Sequence, residues 1–322
     1  MAIQTLKRLW KNEYFQTAIT IILILLIVFG LYYGAQAALG SEYPLLAVSS
    51  ESMFPTLNIG DLIIVQKIDP AQINDDPING DILVYKSGED LIVHRAIDKK
   101  YQGDGVWQIT TRGDAYPKGS GETWYSTQLV GKVIGRIPAI GNMPLFLHSE
   151  KNMYILFIAL IIILIILMLP WGSKSEETPI EKDKKKVEEK KIFSMISLNL
   201  VFYIIINAVL VALIIFSLWG SLTFWQPGAG THKPPEGRWV TIYGMFSDLN
   251  FHERLAGEAN LSQSFLTYQI DYEVGGETRF GVPTFSWFQF LLIILVVYNA
   301  WKLHNVLKSY KMWEPTMREA SV

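Results

Sequence analysis

The chain has 322 residues, of which 50% are apolar and 18% are charged, and its formal net charge is -2. It is richer in apolar residues than most soluble proteins of this size, and its near-neutral charge gives no electrostatic reason to expect nucleic acid as a partner. Because the chain contains no cysteine, disulfides, zinc–thiolate sites and cysteine nucleophiles are excluded.

Four segments are long and apolar enough to cross a bilayer, which takes about 20 residues. These predicted transmembrane helices comprise residues 17–39, 153–171, 195–219 and 285–303. Lysine and arginine favour the cytoplasmic side of a membrane, and the basic flanks of all four segments assign consistently. The N-terminus 1–16, the charged linker 172–192 and the tail 304–322 are therefore predicted to be cytoplasmic, with 40–152 and 220–284 outside.

The first apolar segment has a second interpretation. Ala35-Gln-Ala37 has the small-x-small pattern of a signal-peptide cleavage site, and a basic region precedes the segment. However, the apolar run exceeds the 7–15 residues typical of a signal peptide. We therefore predict a retained membrane anchor.

Residues 40–152 have the pattern of a mainly-β domain. Short runs rich in β-branched residues follow turn residues, which is typical of strands. The predicted strands comprise residues 61–65, 81–85, 91–93, 106–110 and 130–137. A segment of about 110 residues is long enough to bury a core of its own.

Residues 220–284 are predicted to form a smaller β-rich module. Apolar and polar residues alternate over 268–274, so that one face of a strand would be apolar. Gly275-Gly276 then supplies a two-residue turn into 277–282, and this pattern predicts a hairpin.

Ser52 is the candidate nucleophile of the first external domain, in competition with Ser49 and Ser50. A serine becomes a useful nucleophile only when a base removes its proton and donors await the oxyanion. Pro55 restricts Phe54 to extended geometry, so the turn after Ser52 is rigid. The alternative is a loop serine that bonds its own backbone.

His94 is the candidate base. It is one of five histidines, and it alone lies inside a predicted strand of the domain that carries Ser52. Its ordinary pKa near 6.5 suits it to accept a proton at neutral pH, although a histidine in an apolar strand often has a purely structural role. With Asp114 as a third polar group, the set indicates a protease that acts on substrates emerging from a membrane.

Four motifs in this order resemble those of type I signal peptidases. They are Ser-x-Ser-Met-x-Pro-Thr-Leu at 50–57, Gly-Asp-Ile-Leu-Val-Tyr at 80–85, Val-His-Arg at 93–95 and Arg-Gly-Asp at 112–114. Their spacing is similar to that of the archaeal and endoplasmic-reticulum branch, in which histidine replaces the lysine base of most bacterial enzymes. The resemblance covers about residues 15–170, and it implies a signal-peptidase-like β domain followed by an appended C-terminal membrane region.

The resemblance implies roles for individual residues. Ser52 would be the nucleophile, His94 the general base, and Ser50 would assist the oxyanion hole. Asp114 matches the first aspartate of a Gly-Asp-Asn-Asn…Asp pattern, but the second aspartate is missing here, where the chain reads Gly-Asp-Ala-Tyr-Pro-Lys-Gly-Ser-Gly-Glu122. Asp114 is the favoured acid for orienting His94, and Glu122 is the alternative.

The implied function is that of a membrane-bound serine endopeptidase, without metal or cofactor, that removes signal peptides from secretory precursors. Its further partners would be the lipid bilayer and the protein-translocation machinery. The predicted location is the cell membrane, with the endoplasmic-reticulum membrane as the alternative. Two other functions remain open: a non-catalytic membrane assembly or binding protein, and a protease that processes other membrane or surface precursors.

Overall fold

The computed structural model describes residues 13–147, 198–229 and 237–319. Its strands are β1 (Leu45–Ala47), β2 (Leu62–Gln66), β3 (Ile82–Ser87), β4 (Asp90–Gly103), β5 (Val106–Arg112), β6 (Glu122–Tyr125), β7 (Leu129–Ile137), β8 (Ser221–Gln226), β9 (Arg238–Tyr243), β10 (Ala259–Ser264), β11 (Thr267–Val274), β12 (Glu277–Arg279) and β13 (Thr284–Phe285). Its α-helices are α1 (Glu13–Leu39), α2 (Asn142–Leu147), α3 (Leu198–Trp219), α4 (Met245–Ala256) and α5 (Trp287–Glu319).

The described chain forms two compact units. The first contains the residues up to Gly141 together with Val274–Pro283, and the second contains Asn142–Glu273 and the residues from Thr284 onwards. The first unit therefore takes a ten-residue segment from far along the sequence.

The first unit is an antiparallel sheet in the order β1-β2-β7-β3-β4-β5-β6. The mainly-β prediction for this part of the chain is confirmed, and a strand forms at each of the five predicted places. Strand β4 is much longer than predicted, because its charged second half pairs with β5, as in the register of Lys100 opposite Gln108. Strands β1 and β6 are too short to show a pattern in the sequence.

Strand β3 lies at the centre of this sheet and is buried on both faces. Ile82 and Val84 belong to one hydrophobic cluster, whereas Leu83 and Tyr85 belong to another. Because successive side chains point to opposite faces of a strand, a doubly covered strand has a continuous apolar sequence rather than an alternating one. This explains the run Ile-Leu-Val-Tyr.

The second unit contains the two-stranded antiparallel sheet β8-β9 and the antiparallel strands β10-β11-β13. Met245 of α4 packs with Tyr268 and Ile270 of β11 in its core, as the alternation in 268–274 predicted. Strand β11 is followed by Gly275 and Gly276, both at positive φ (66° and 87°), which is the backbone that the predicted two-residue turn requires.

Two helices in the described part of the chain are long and apolar enough to cross a membrane. They occupy Leu200–Trp219 in α3 and Trp287–Lys308 in α5. In α1 the apolar stretch Leu25–Leu39 is shorter, and the predicted span 153–171 lies outside the described residues. The prediction of four transmembrane helices is therefore not supported beyond these two.

Helices α3 and α5 are joined by a polar contact. Asn299 Nδ2 donates a hydrogen bond of 2.7 Å to Asn207 Oδ1, and the Tyr203 hydroxyl donates to Asn299 Oδ1. Polar side chains within apolar helices commonly bond to a neighbouring helix in this way. Intramolecular packing accounts for the position of Asn207.

Candidate active site

Ser52 lies in the turn region between β1 and β2, at the surface of a hydrophobic cluster. Met53 and Leu57 follow it and are both buried, and the Leu57 amide donates to the Met53 carbonyl over 2.9 Å. These apolar side chains fix the turn to the core, while Ser52 itself stays partly exposed. The hydroxyl oxygens of Ser50 and Ser52 are 3.3 Å apart.

His94 lies on β4 directly opposite Leu83 of β3. Because residues two positions apart on a strand share a face, Tyr85 lies on the face that carries His94 and is its diagonal neighbour. His94 is only 6% exposed. Burial lowers the pKa of its imidazole, and the negative charges of Glu122 and Asp114 only partly oppose this effect.

The hydroxyl of Tyr85 connects His94 to Glu122. It donates a hydrogen bond of 2.8 Å to Glu122 Oε2, and its oxygen is 3.5 Å from His94 Nδ1. Burial raises the pKa of the Tyr85 hydroxyl, so it keeps its proton. Since that proton points at Glu122, the oxygen can only accept from His94, which favours the tautomer with the proton on Nδ1 and a free lone pair on Nε2.

The Tyr85 ring is fixed by its neighbours. It stacks on Trp124 with 4.3 Å between ring centroids, and the Trp124 indole donates to the Thr111 hydroxyl over 3.0 Å. Glu122 precedes Trp124 by two residues on β6, so both side chains face Tyr85. The packing of one aromatic pair therefore places the acid next to the hydroxyl.

Asp114 contacts two arginines and the Ser52 turn. Arg95 donates to both of its carboxylate oxygens at 2.8 and 2.7 Å, Arg279 Nη1 is 3.2 Å from Oδ1, and the Thr56 hydroxyl donates to Oδ2. Burial alone would raise the pKa of the Asp114 carboxyl, but the bonds and charge of Arg95, the charge of Arg279 and the Thr56 bond outweigh this and hold its pKa below the ordinary value.

The loop Gly113–Tyr116 touches both Ser52 and His94. The Ala115 amide donates a hydrogen bond of 3.0 Å to the Ser52 carbonyl oxygen, and the Tyr116 ring lies edge-on to the imidazole with 6.0 Å between centroids. Within the described residues, no direct hydrogen bond joins Ser52 and His94. Such bonds are often long in a free enzyme and tighten when substrate binds.

Four residues around the site were not predicted from the sequence: Tyr85, Arg95, Tyr116 and Arg279. Tyr85 and Arg95 lie within the quoted motifs, but their roles depend on the register of β3 and β4. Arg279 had no local signal, because it comes from a distant segment. Over the parts of the chain that the structure describes, no group of three or more histidine or acidic side chains is arranged to hold a metal ion.

Comparison with known proteins finds catalytic subunits of the signal peptidase complex among the relatives of this chain. The chain is 26% identical to the signal peptidase complex catalytic subunit sec11 of Dictyostelium discoideum, over 48% of this chain and 89% of that protein. It is 28% identical to subunit SEC11C of Homo sapiens, over 45% of this chain and 78% of that protein. The subunit SEC11 of Tuber melanosporum is 28% identical, over 48% and 89%. No family model matches the chain.

These relatives match about half of the chain, as the motif resemblance does. They are named as catalytic subunits of the signal peptidase complex, which is the function that the motifs implied. The comparisons thus confirm the resemblance of this chain to the archaeal and endoplasmic-reticulum branch of type I signal peptidases.

Proposed function

We propose that this chain is a membrane-bound serine endopeptidase that removes signal peptides from exported precursor proteins. The observation that carries the proposal is the loop Gly113–Tyr116, which contacts the Ser52 backbone on one side and the His94 ring on the other. A shared loop of this kind couples the positions of Ser52 and His94, which supports a joint role for the hydroxyl and the imidazole. The relatives' names support the same activity.

In the proposed mechanism, His94 Nε2 removes the Ser52 proton while Ser52 Oγ attacks the carbonyl carbon of the scissile peptide bond. The protonated His94 then gives its proton to the leaving amine as the peptide bond breaks. Water attacks the acyl-enzyme with His94 again acting as base, which releases the signal peptide and restores Ser52. The lowered pKa of His94 keeps the imidazole neutral and ready to accept a proton at neutral pH.

Ser50 is proposed to assist in stabilising the oxyanion. Its hydroxyl is 3.3 Å from that of Ser52, so a small rotation directs its proton to an oxyanion formed at the attacked carbon. Removing one such donor costs about 3–4 kcal/mol of barrier stabilisation in other serine proteases. Backbone amides of the Ser52 turn would supply the other donors.

Glu122, acting through Tyr85, is proposed as the acid that supports His94. The Tyr85 hydroxyl faces His94 Nδ1 and donates to Glu122, so the pair holds the imidazole in one tautomer and stabilises its charged form. The carboxylate of Asp114 instead bonds to the side chains of Arg95, Arg279 and Thr56. We therefore propose that Asp114 stabilises the Ser52 turn rather than the imidazole.

The membrane arrangement is part of the proposal. Four spans, with residues 40–152 and 220–284 outside the cell membrane or in the endoplasmic-reticulum lumen, would place the site on the side where precursors emerge. Twelve residues separate the end of α1 from Ser52, a reach of at most about 40 Å even if fully extended. Signal peptides present their cleavage sites near the bilayer surface, so this location suits them.

The proposal is tested by incubating the intact protein with a secretory precursor in detergent or proteoliposomes and sequencing the products. The wild type and Ser49→Ala should release the mature protein, whereas Ser52→Ala and His94→Ala should not, although all remain folded. Ser49 is a matched control because it lies in the same partly exposed turn. Wild-type cleavage by Ser52→Ala would refute the assignment, and cleavage of other membrane precursors alone would favour the related protease.

A further inference from the structure

The segment 274–283, here called the docked segment, lies within the first unit although in sequence it connects β11 to β13 of the second unit. Val282 belongs to the hydrophobic cluster that contains Met53 and Leu57. The Pro283 carbonyl accepts a hydrogen bond of 2.9 Å from the Arg136 amide of β7. The docked segment thus contributes both to the core and to the backbone hydrogen bonds of the unit that carries Ser52.

Asn79 holds the docked segment from both sides. Its side-chain amide donates to the Thr278 carbonyl over 3.0 Å, and its side-chain oxygen accepts from the Phe280 amide over 2.8 Å. An asparagine that pairs with the two peptide groups around one residue fixes the position of that residue. The residue is Arg279.

The side chain of Arg279 points inward between these two hydrogen-bonded peptide groups. Its side chain is 5% exposed, its Nε donates to the Ile78 carbonyl over 3.2 Å, and its Nη1 is 3.2 Å from Asp114 Oδ1. A buried guanidinium requires this kind of compensation, since an unpaired buried charge is strongly unfavourable. Its partner Asp114 is the residue whose other oxygen accepts the Thr56 hydroxyl of the Ser52 turn.

We propose that the docked segment completes the peptidase unit from the C-terminal half of the chain, and that Arg279 is a positioning residue for the reaction. Acting through Asp114, it holds Thr56 and the loop Gly113–Tyr116 in place against Ser52. The signal-peptidase motifs all lie within about residues 15–170, so this group is an addition made by the appended region. The effect on cleavage rests on the proposed function, whereas the docking does not.

Docking is tested in the full-length protein by cysteine cross-linking, which is unambiguous because the chain has no cysteine of its own. Asn79→Cys with Thr278→Cys should form a disulfide under mild oxidation. Gly135→Cys with Pro283→Cys is a second pair, which keeps both side-chain hydrogen bonds of Asn79. Asn79→Cys with Glu89→Cys is the control, since Glu89 lies in the turn at the far end of β3. Failure of both test pairs to cross-link in folded protein would overturn the proposal.

Positioning is tested by kinetics normalised to the amount of folded protein. Arg279→Ala should lower kcat about 10- to 100-fold, the range expected when a reacting group is slightly misplaced, with KM within about twofold because no substrate contact is lost. Arg279→Lys should recover part of the loss, since it keeps the charge but not the second hydrogen bond. Arg254→Ala, at an exposed arginine of α4, should behave as the wild type.

The outcomes separate the two proposals. Cross-linking together with a kcat loss in Arg279→Ala that Arg279→Lys partly restores supports the inference. A wild-type kcat in Arg279→Ala overturns the positioning role. So does a decrease in kcat that is equally large in Arg279→Ala, Arg279→Lys and Arg254→Ala. A wild-type protein that cross-links but cleaves no precursor would overturn the proposed function and still support the docking of the segment.

Discussion

The amide of Ala115 donates a hydrogen bond of 3.0 Å to the carbonyl oxygen of Ser52. This contact joins two parts of the chain that are each held by Asp114, because Asp114 precedes Ala115 and also accepts the Thr56 hydroxyl of the Ser52 turn. We propose on this basis that Asp114 stabilises the Ser52 turn. Activity and stability should therefore respond differently to changes at Asp114, Tyr85 and Glu122.

The first prediction concerns Gly113, which approaches the Ser52 turn closely. A Cβ added at this position would lie 2.4 Å from the Ser52 carbonyl oxygen, so Gly113→Ala must displace either the Ser52 backbone or the loop that contacts it. We expect kcat for precursor cleavage to fall about 100-fold, as small misplacements of a reacting group do.

Gly135→Ala is the matched control for Gly113→Ala. A Cβ at Gly135 would meet its nearest atom, the Pro283 carbonyl oxygen, at 3.4 Å, an ordinary contact. Steady-state cleavage of both variants, each checked for folding by thermal unfolding, gives the comparison. Equal activity in the two variants would contradict the proposed role of the loop.

The second prediction concerns the pH dependence of cleavage. The base must be neutral to accept the Ser52 proton, so activity falls as pH drops through the pKa of His94. Because burial lowers that pKa, kcat/KM should reach half its plateau below pH of about 6.5, the ordinary histidine value. The measurement is kcat/KM between pH 4.5 and 8; an inflection above the ordinary value would contradict it.

The third prediction ranks the two acids by their effect on His94. The charge of Glu122 raises the imidazole pKa more than that of Asp114 does, so Glu122→Gln should move the inflection to lower pH by the larger amount. Glu122→Gln should also reduce kcat, since it weakens the support of the charged imidazole. A larger shift of the inflection in Asp114→Asn would return the orienting role to Asp114.

The fourth prediction concerns Tyr85. Tyr85→Phe keeps the ring stacked on Trp124 but removes the hydroxyl between His94 and Glu122. Loss of one such hydrogen bond corresponds to about 1–2 kcal/mol, or roughly a 10-fold decrease in kcat, with little effect on KM. Tyr101→Phe, at an exposed tyrosine of β4, should leave kcat unchanged. A wild-type kcat in Tyr85→Phe would contradict the proposal that Glu122 acts on His94 through the Tyr85 hydroxyl.

The fifth prediction concerns stability. Asp114→Ala leaves the buried Arg95 and Arg279 without their shared carboxylate, which should lower the free energy of unfolding by about 3–5 kcal/mol. Glu42→Gln, which removes an exposed partner of Lys86, should change the unfolding transition little. Thermal unfolding of both variants in detergent is the measurement, and similar transitions would contradict the prediction.

The ion pairs of Asp114 with Arg95 and Arg279 also determine how the unfolding transition responds to acid. The folded-state pKa of Asp114 is lowered, so its stabilising contribution is fully present above the unfolded pKa of about 3.9 and is lost as pH falls below it. The wild type should therefore lose stability below that pH more steeply than Asp114→Ala. Parallel curves for the two proteins would show that Asp114 contributes no such stability.

The sequence by itself determined where five strands of the first unit form, and it indicated Ser52 and His94 as candidate site residues. Strands have a local signal, because β-branched runs and turn residues recur at short spacing, and both residues lie in motifs that are contiguous in the chain. The apolar faces of 268–274 and the glycine turn after it were predictable for the same reason. Of the predicted spans, the apolar helices in α3 and α5 are long enough to cross a membrane, the apolar stretch of α1 is shorter, and 153–171 lies outside the described residues.

The tertiary structure alone decided which side chains surround those two residues. Whether Asp114 or Glu122 lies nearer to His94 depends on the register of β3, β4 and β6, since a shift by one residue would turn Tyr85 to the opposite face. Arg279 reaches Asp114 from a segment far along the chain, and such a contact leaves no periodic pattern in the sequence. Electrostatic pairing of buried groups is a property of the packed core, where desolvation forces each charge to find a partner.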